Sequence, residues 1–212
     1  MICPFDFKNQ PYHTFDFTAA NADLKNVDLS NIEAFNAYVF ETLKAKNVKV
    51  GVGGWLEKRV VYDDVSHFQG AEQRCYHLGV DVWAEAGTPI YAPEDCEIHS
   101  FKNNDNIGDY GPTIILKSST QNLFYLFGHL SINSLKGLEK GQIIKKGKHF
   151  ATIGPYPENG NWPPHLHFQV MNTMNGKEGD FPGVCSLSEL EYYKGICLNP
   201  YSFVGLPNSL GL

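Results

Sequence analysis

Pro163-Pro164-His165-Leu166-His167-Phe168-Gln169-Val170 alternates polar and apolar residues behind a stiff Pro-Pro turn. A period of two places His165, His167 and Gln169 on one face of a strand and Leu166, Phe168 and Val170 on the other. The apolar face predicts a core beneath the strand. The polar face carries two neighbouring imidazoles, each with two ring nitrogens to satisfy, and such a pair packs poorly. A metal ion or a reacting group answers that demand better than packing does.

Working outward from this strand, the chain from Val48 onward reads as short strands between turn signals. Gly87-Thr-Pro89, Ala92-Pro93, Asn103-Asn-Asp-Asn106 and Gly111-Pro112 punctuate it. Residues 112–117 read as a buried strand and 122–130 as another, apolar on both faces. Residues 141–146 and 147–154, each opening on glycine, read as paired strands. Many short strands with few helices predict a mainly β fold built on an antiparallel β-sheet core. One clear helix is predicted over 31–46. Ser30 and Glu33 make a capping box, Ile32, Phe35, Val39 and Leu43 share a face, and Asn47 is a stop signal. That helix should pack outside the sheet on its apolar stripe. Residues 1–29 read as irregular, and Ser186 with Glu189 as the cap of a short helix running to about Lys194. The expected organisation is an N-terminal extension over 1–50, a β domain carrying the chemistry over 51–172, and a C-terminal extension over 173–212 packed on the core.

A length of 212 residues fits one domain with elaborations. The formal net charge of −6 argues against nucleic acid or an anionic membrane surface as the main partner. No apolar run approaches the ~20 residues of a membrane span. The start, Met1-Ile2-Cys3-Pro4-Phe5-Asp6-Phe7, lacks the basic stretch and apolar core of a signal peptide. The expectation is therefore a cytoplasmic protein as the chain stands, or a periplasmic or secreted one if leading residues have been trimmed. The five cysteines are odd in number and show no CxxC spacing, which indicates reduced thiols and neither a disulfide framework nor a zinc–cysteine site.

Among the eight histidines, His13, His67, His99 and His149 have no partner at useful spacing and read as structural or exposed. The other four fall into three groups. His77-Leu78-Gly79-Val80-Asp81 offers an imidazole and a carboxylate four residues apart, normal zinc chemistry but a weak match alone. Phe127-Gly128-His129-Leu130-Ser131 ends an apolar strand, where a lone histidine reads as a core residue. The third group is the His165/His167 pair.

In this order, HxxxD, GHL at a strand end and HLH after Pro-Pro, the chain resembles the lysostaphin/LytM family of zinc metallopeptidases. The likeness runs over residues 75–172 and takes in the segments 87–93 and 147–154. It implies the duplicated hybrid β motif of that family, with one zinc per chain held by His77, Asp81 and His167. His129 and His165 would be the two catalytic histidines that do not bind the metal. Three protein ligands leave a fourth position for water, whose pKa zinc lowers to ~7. His129 and His165 would then share two tasks: taking the water's proton and hydrogen-bonding the oxyanion. The implied activity is that of a metalloendopeptidase acting on peptidoglycan cross-links or on Gly- or Ala-containing peptides, with a peptide or muropeptide as partner. The loops 103–111 and 155–164 are rich in small residues and would wall the groove, with Tyr110 and Trp162 as substrate contacts. Cys75, two residues before His77, falls on the same face by alternation. An open catalytic site requires it to point away through a local irregularity or to lie too far off to bind.

The absence of HExxH excludes the helix-based zinc peptidases, and the His77–Asp81 gap is narrower than in the D-Ala-D-Ala carboxypeptidase group. A cupin would place its HxH before the remaining ligands, and here HxH comes last. The flanks Gly51-Val-Gly-Gly-Trp55, Gly108-Asp-Tyr-Gly-Pro112 and Gly179-Asp-Phe-Pro-Gly183 look similar to a signal-less branch of the family, standing alone or fused to class III aminotransferases. That branch implies the alternative of a module acting on a non-wall peptide or serving as a regulatory or binding module. Five filled site positions argue against the regulatory form.

Overall fold

Leu166, Phe168 and Val170 have no exposed surface and sit in the central hydrophobic cluster, as the alternation predicts. Each such side chain contributes about 1.5–3 kcal/mol when buried, so this one face anchors the strand firmly. The computed structural model describes residues 1–62, 70 and 72–210. In chain order the elements are β1 (His13–Phe15), α1 (Ile32–Ala45), β2 (Gly51–Gly53), β3 (Tyr76–His77), β4 (Val80–Trp83), β5 (Pro89–Tyr91) and β6 (Cys96–Asn104). They continue with β7 (Gly111–Ser118), β8 (Phe124–Gly128), β9 (Ile143–Ile144), β10 (His149–Thr152), β11 (His165–Met171), β12 (Val184–Cys185), α2 (Leu190–Lys194), β13 (Cys197–Leu198) and α3 (Tyr201–Val204).

The fold is mainly β. Nine strands form one sheet in the order β1-β2-β4-β11-β8-β7-β6-β9, with β13 also paired to β11. Its ladders are antiparallel except for β1–β2. Two small ladders, β5–β10 and β3–β12, lie beside it. The strand with both histidines, β11, is central. Its register sets His167 opposite Asp81 on β4 and Gly128 on β8, and His165 opposite Trp83. Directly opposed residues project to the same face, so pairing alone gathers the chemistry-bearing side chains.

Helix α1 buries Phe35, Val39 and Leu43, and the Phe35 ring lies 5.8 Å from Phe17 and 5.7 Å from Trp83. It thus packs against the β1–β4 side of the sheet. The cap differs from the expected Ser30–Glu33 box. Asn31 is the N-cap, its side chain accepting from the Glu33 and Ala34 amides, while the Ser30 hydroxyl donates to Asp28 at 2.6 Å. A nearby carboxylate is a stronger acceptor and takes the serine away. At the other end Asn47 adopts the left-handed conformation with φ 54°, as a helix stop requires.

Three further expectations are corrected. Residues 1–29 are not wholly irregular, since β1 pairs in parallel with β2 and a 3-10 turn covers Ala22–Asn26. The segments 141–146 and 147–154 do not pair with each other. Ile143–Ile144 joins β6, and His149–Thr152 joins β5, because a turn between them at Gly147 (φ 73°) sends the chain to a different neighbour. The short helix after Ser186 is α2, but Ser186 does not cap it: Glu189 is the N-cap and makes no side-chain capping bond, its carboxylate being taken up by the Ser186 hydroxyl, which donates to it at 2.9 Å. All five cysteines are buried and none is in a disulfide. Among the described residues no helix is long and apolar enough to cross a membrane.

Candidate active site

Pairing of β4 with β11 brings Asp81 beside His167, and the short β3 delivers His77 to the same point. His77 Nε2, Asp81 Oδ1 and His167 Nδ1 form a triangle with edges of 2.9, 3.2 and 3.2 Å. Ligand atoms around a tetrahedral zinc at ~2.0–2.1 Å stand about 3.3–3.4 Å apart, close to these edges. Gly79, between His77 and Asp81, permits the approach. A Cβ there would lie 2.6 Å from the Phe168 carbonyl and 2.8 Å from the His167 ring.

The protons on the two imidazoles follow from their outer partners. His77 Nδ1 is 2.8 Å from the Gly54 carbonyl, so it donates there and keeps a lone pair at Nε2. Gln169 is oriented by its amide nitrogen, which donates to the Pro182 carbonyl at 3.1 Å. Its oxygen therefore faces His167 Nε2 at 3.0 Å, and His167 donates there and keeps its lone pair at Nδ1. Two imidazole lone pairs and a carboxylate oxygen converge. Asp81 Oδ1 is buried without a hydrogen-bond donor, and burial of an unpartnered carboxylate oxygen is costly. Such a donor set repels itself unless a cation joins it, so these residues fit a divalent metal. Among the described residues this is the one His/Cys/Asp/Glu cluster with that geometry. Burial, helped by Arg59, pushes His77 down to about 4. Burial opposes ionisation of Asp81, but His77 and Arg59 outweigh it and hold the carboxyl well below its usual range.

His129 and His165 flank the cluster. His165 donates from Nδ1 to the Pro163 carbonyl at 2.7 Å and stacks on Trp83 with ring centroids 4.0 Å apart. Its Nε2 is 3.9 Å from Asp81 Oδ1. His129 leaves β8 in the left-handed conformation, φ 60°, and donates from Nδ1 to the Asn159 carbonyl at 2.8 Å. The two rings are 4.2 Å apart. Burial lowers both, His165 to about 4 and His129 well below the usual histidine range, the latter with help from the neighbouring His165. Both are therefore neutral near pH 7, with Nε2 unprotonated.

All five residues line a cavity of about 280 Å³. The loop 103–111 contributes Gly108, Asp109 and Tyr110, and the loop 155–164 contributes Trp162. The cavity is also lined by Phe35, Val61 and Tyr62, which nothing in the sequence placed there, and by Asp180–Val184, whose flank 179–183 stood out only for its resemblance. Tyr110 and Trp162 are both 8 % exposed. The Tyr110 hydroxyl is 3.5 Å from His167 Nε2 and fits against Gly183. Cys75 is buried, bonded through its amide to the Cys185 carbonyl, and is not part of the donor cluster. Of the other histidines, His13 lies on β1, His99 on β6 bonded to Ser100, and His149 on β10, all away from the site. His67 lies outside the described residues. The sequence reading missed the outer partners. Gln169 alone carried a signal, its place on the face shared by His165 and His167, whereas the carbonyls of Gly54, Pro163 and Asn159 carry none.

The family model for peptidase family M23 matches residues 75–180, half of the chain. An L-Ala--D-Glu endopeptidase of Bacillus subtilis (strain 168) is 27% identical over 142 residues, which cover 64% of this chain and 41% of that protein. The chain therefore spans less than half the length of this curated relative. Among solved structures, LytU is 24% identical with a TM-score of 0.43, covering 68% of this chain and 81% of its own. The catalytic domain of lysostaphin from Staphylococcus simulans is 23% identical with a TM-score of 0.40, covering 57% and 80%.

Proposed function

The chain belongs to peptidase family M23, and on that premise we propose that it is a zinc metalloendopeptidase whose metal is held by His77, Asp81 and His167. The observation that carries this reading is the convergence of two imidazole lone pairs and the unpartnered Asp81 Oδ1 at 2.9–3.2 Å spacing. A bound zinc would supply a Lewis acid for the scissile carbonyl and bring its water to a pKa of about 7.

His129 and His165 serve the reacting peptide from Nε2. In each, the Nδ1 proton is committed to a main-chain carbonyl, which aims the ring and sharpens the basicity of Nε2. Burial keeps both unprotonated at neutral pH, so either is ready to take a proton from the attacking water. Two imidazoles 4.2 Å apart resist being charged together. At most one of the two therefore carries the extra proton at a time. The protonated ring donates to the carbonyl oxygen as charge develops there, and then to the departing nitrogen. Trp83, stacked on His165, keeps water from that side of the ring.

The substrate proposed is a peptide bond in peptidoglycan or in a related Gly- or Ala-containing peptide. The Bacillus relative is named for an L-Ala--D-Glu bond, which supports an Ala-containing peptide. Metal analysis combined with hydrolysis of defined muropeptides and glycine peptides tests the reading. One zinc per chain and cleavage abolished by chelation are expected. Cleavage that survives complete zinc removal contradicts it, and a zinc-loaded protein that binds these peptides without cutting any is a binding module instead.

A further inference from the structure

Two of the three donor side chains are held from behind by one segment that precedes the family-matched residues. Its backbone zips along β3: Leu56 donates to the His77 carbonyl at 2.7 Å, His77 to Glu57 at 3.0 Å, and Arg59 to Cys75 at 2.9 Å. The Gly54 carbonyl accepts from His77, as described above. The carboxylate oxygen of Asp81 that stays out of the triangle, Oδ2, accepts from Arg59 Nη1 at 2.5 Å. Arg59 Nε donates to Glu57 Oε2 at 2.7 Å, and Glu57 Oε1 accepts from the Phe17 amide at 2.9 Å. Arg59 and Glu57 are 3 % and 7 % exposed. Where the guanidinium crosses β2 the strand carries Gly53, since a Cβ there would lie 2.6 Å from Arg59 Nη2.

A buried ion pair of this kind adds little net stability over an apolar replacement, so its presence beside the donor cluster calls for another role. A carboxylate can give a metal one oxygen or two. A second oxygen from Asp81 would crowd the position that water and substrate need. A guanidinium bonded to Oδ2 disfavours this, and its planarity, with Nε held by Glu57, sets where Nη1 meets that oxygen. The bare guanidinium would also place a positive charge close to a divalent cation. Glu57 offsets that charge and ties Arg59 through itself to the main chain.

We propose that Arg59, anchored by Glu57, is a positioning residue of the metal site, engaging Asp81 Oδ2 so that Oδ1 alone faces the metal. The proposal rests on the ligand set assigned under Proposed function. It is tested with Arg59→Lys, the double variant Glu57→Gln/Arg59→Met, and His167→Ala as a control on the ligands. Far-UV circular dichroism checks folding, competition with a chromophoric chelator gives zinc affinity, and the visible spectrum of the Co²⁺-substituted proteins reports coordination number. With Arg59 replaced in the double variant, zinc affinity is expected to fall about 10–100-fold, and the cobalt bands to weaken towards a five-coordinate spectrum. Arg59→Lys keeps the charge but loses the planar spacing by which Nε and Nη1 reach Glu57 and Asp81 separately, and is expected to lie between. If the double variant does not fold, Arg59→Lys decides on the same two readouts. Wild-type zinc affinity and cobalt spectrum in the folded Arg59 variants, with zinc lost from His167→Ala, would reduce Arg59 to a core ion pair. Zinc retained by His167→Ala would instead overturn the ligand assignment.

Discussion

His129 and His165 divide their nitrogens alike, Nδ1 to a main-chain carbonyl and Nε2 left for chemistry. Neither contributes to the donor triangle. His129→Ala and His165→Ala are therefore expected to keep their zinc while losing about 10²–10⁴ in kcat, the usual range for general acid–base groups. Zinc content and steady-state rate measured on the same preparations check this, and a variant near wild-type rate would mark that histidine as structural. At this scale the candidate site was legible beforehand only through the resemblance: HxxxD was weak alone and His129 read as a core residue, and the order of the three motifs is what joined them to the HLH pair. The supports were not legible. Main-chain acceptors at Gly54, Asn159 and Pro163 have no side-chain signature, and Arg59 stands 22 residues before the Asp81 it contacts.

The strand β11, set between β4 and β8, unites the site because its register opposes His167 to Asp81 while its other face is fully buried. Strict alternation made both faces of this strand readable in the sequence. The approach of β11 to the β3–β4 turn depends on Gly79. In Gly79→Ala the new methyl meets the Phe168 carbonyl and the His167 ring, so His167 is displaced. Zinc affinity, read by chelator competition, is expected to fall at least about tenfold, with little change in secondary structure. Unchanged affinity would mean that the turn is slack and does not set the donor spacing. Elements that depend on distant partners were less legible. Three-residue β1 is too short to show a period, and only β2 makes it a strand. Residues 141–154 resemble a hairpin locally, yet their hydrogen bonds go to β6 and β5. The start of α1 turned on whether Ser30 or Asn31 would cap, which Asp28 decides.

For the whole molecule, several neutral histidines are enclosed in one folded core, and this couples its stability to pH. His77 and His165 sit near 4 in the folded metal-free protein, against 6.5 as the ordinary value. As pH falls below 6.5 the unfolded chain takes up protons that the folded chain refuses until about pH 4. Stability present above pH 6.5 is thus lost over that window, on the order of 3 kcal/mol for each group. Denaturant midpoints of the chelated protein at pH 7.5, 5.5 and 4.5 should fall in that order, and a flat or rising series would show that these histidines titrate freely. The most direct test of the proposed metal site is a crystal structure of the zinc-loaded protein with the ion located by its anomalous scattering. The expected result is one zinc within ~2.0–2.2 Å of His77 Nε2, Asp81 Oδ1 and His167 Nδ1, with His129 and His165 unligated. Zinc bound elsewhere, or ligated by His129, His165 or Cys75, would contradict it.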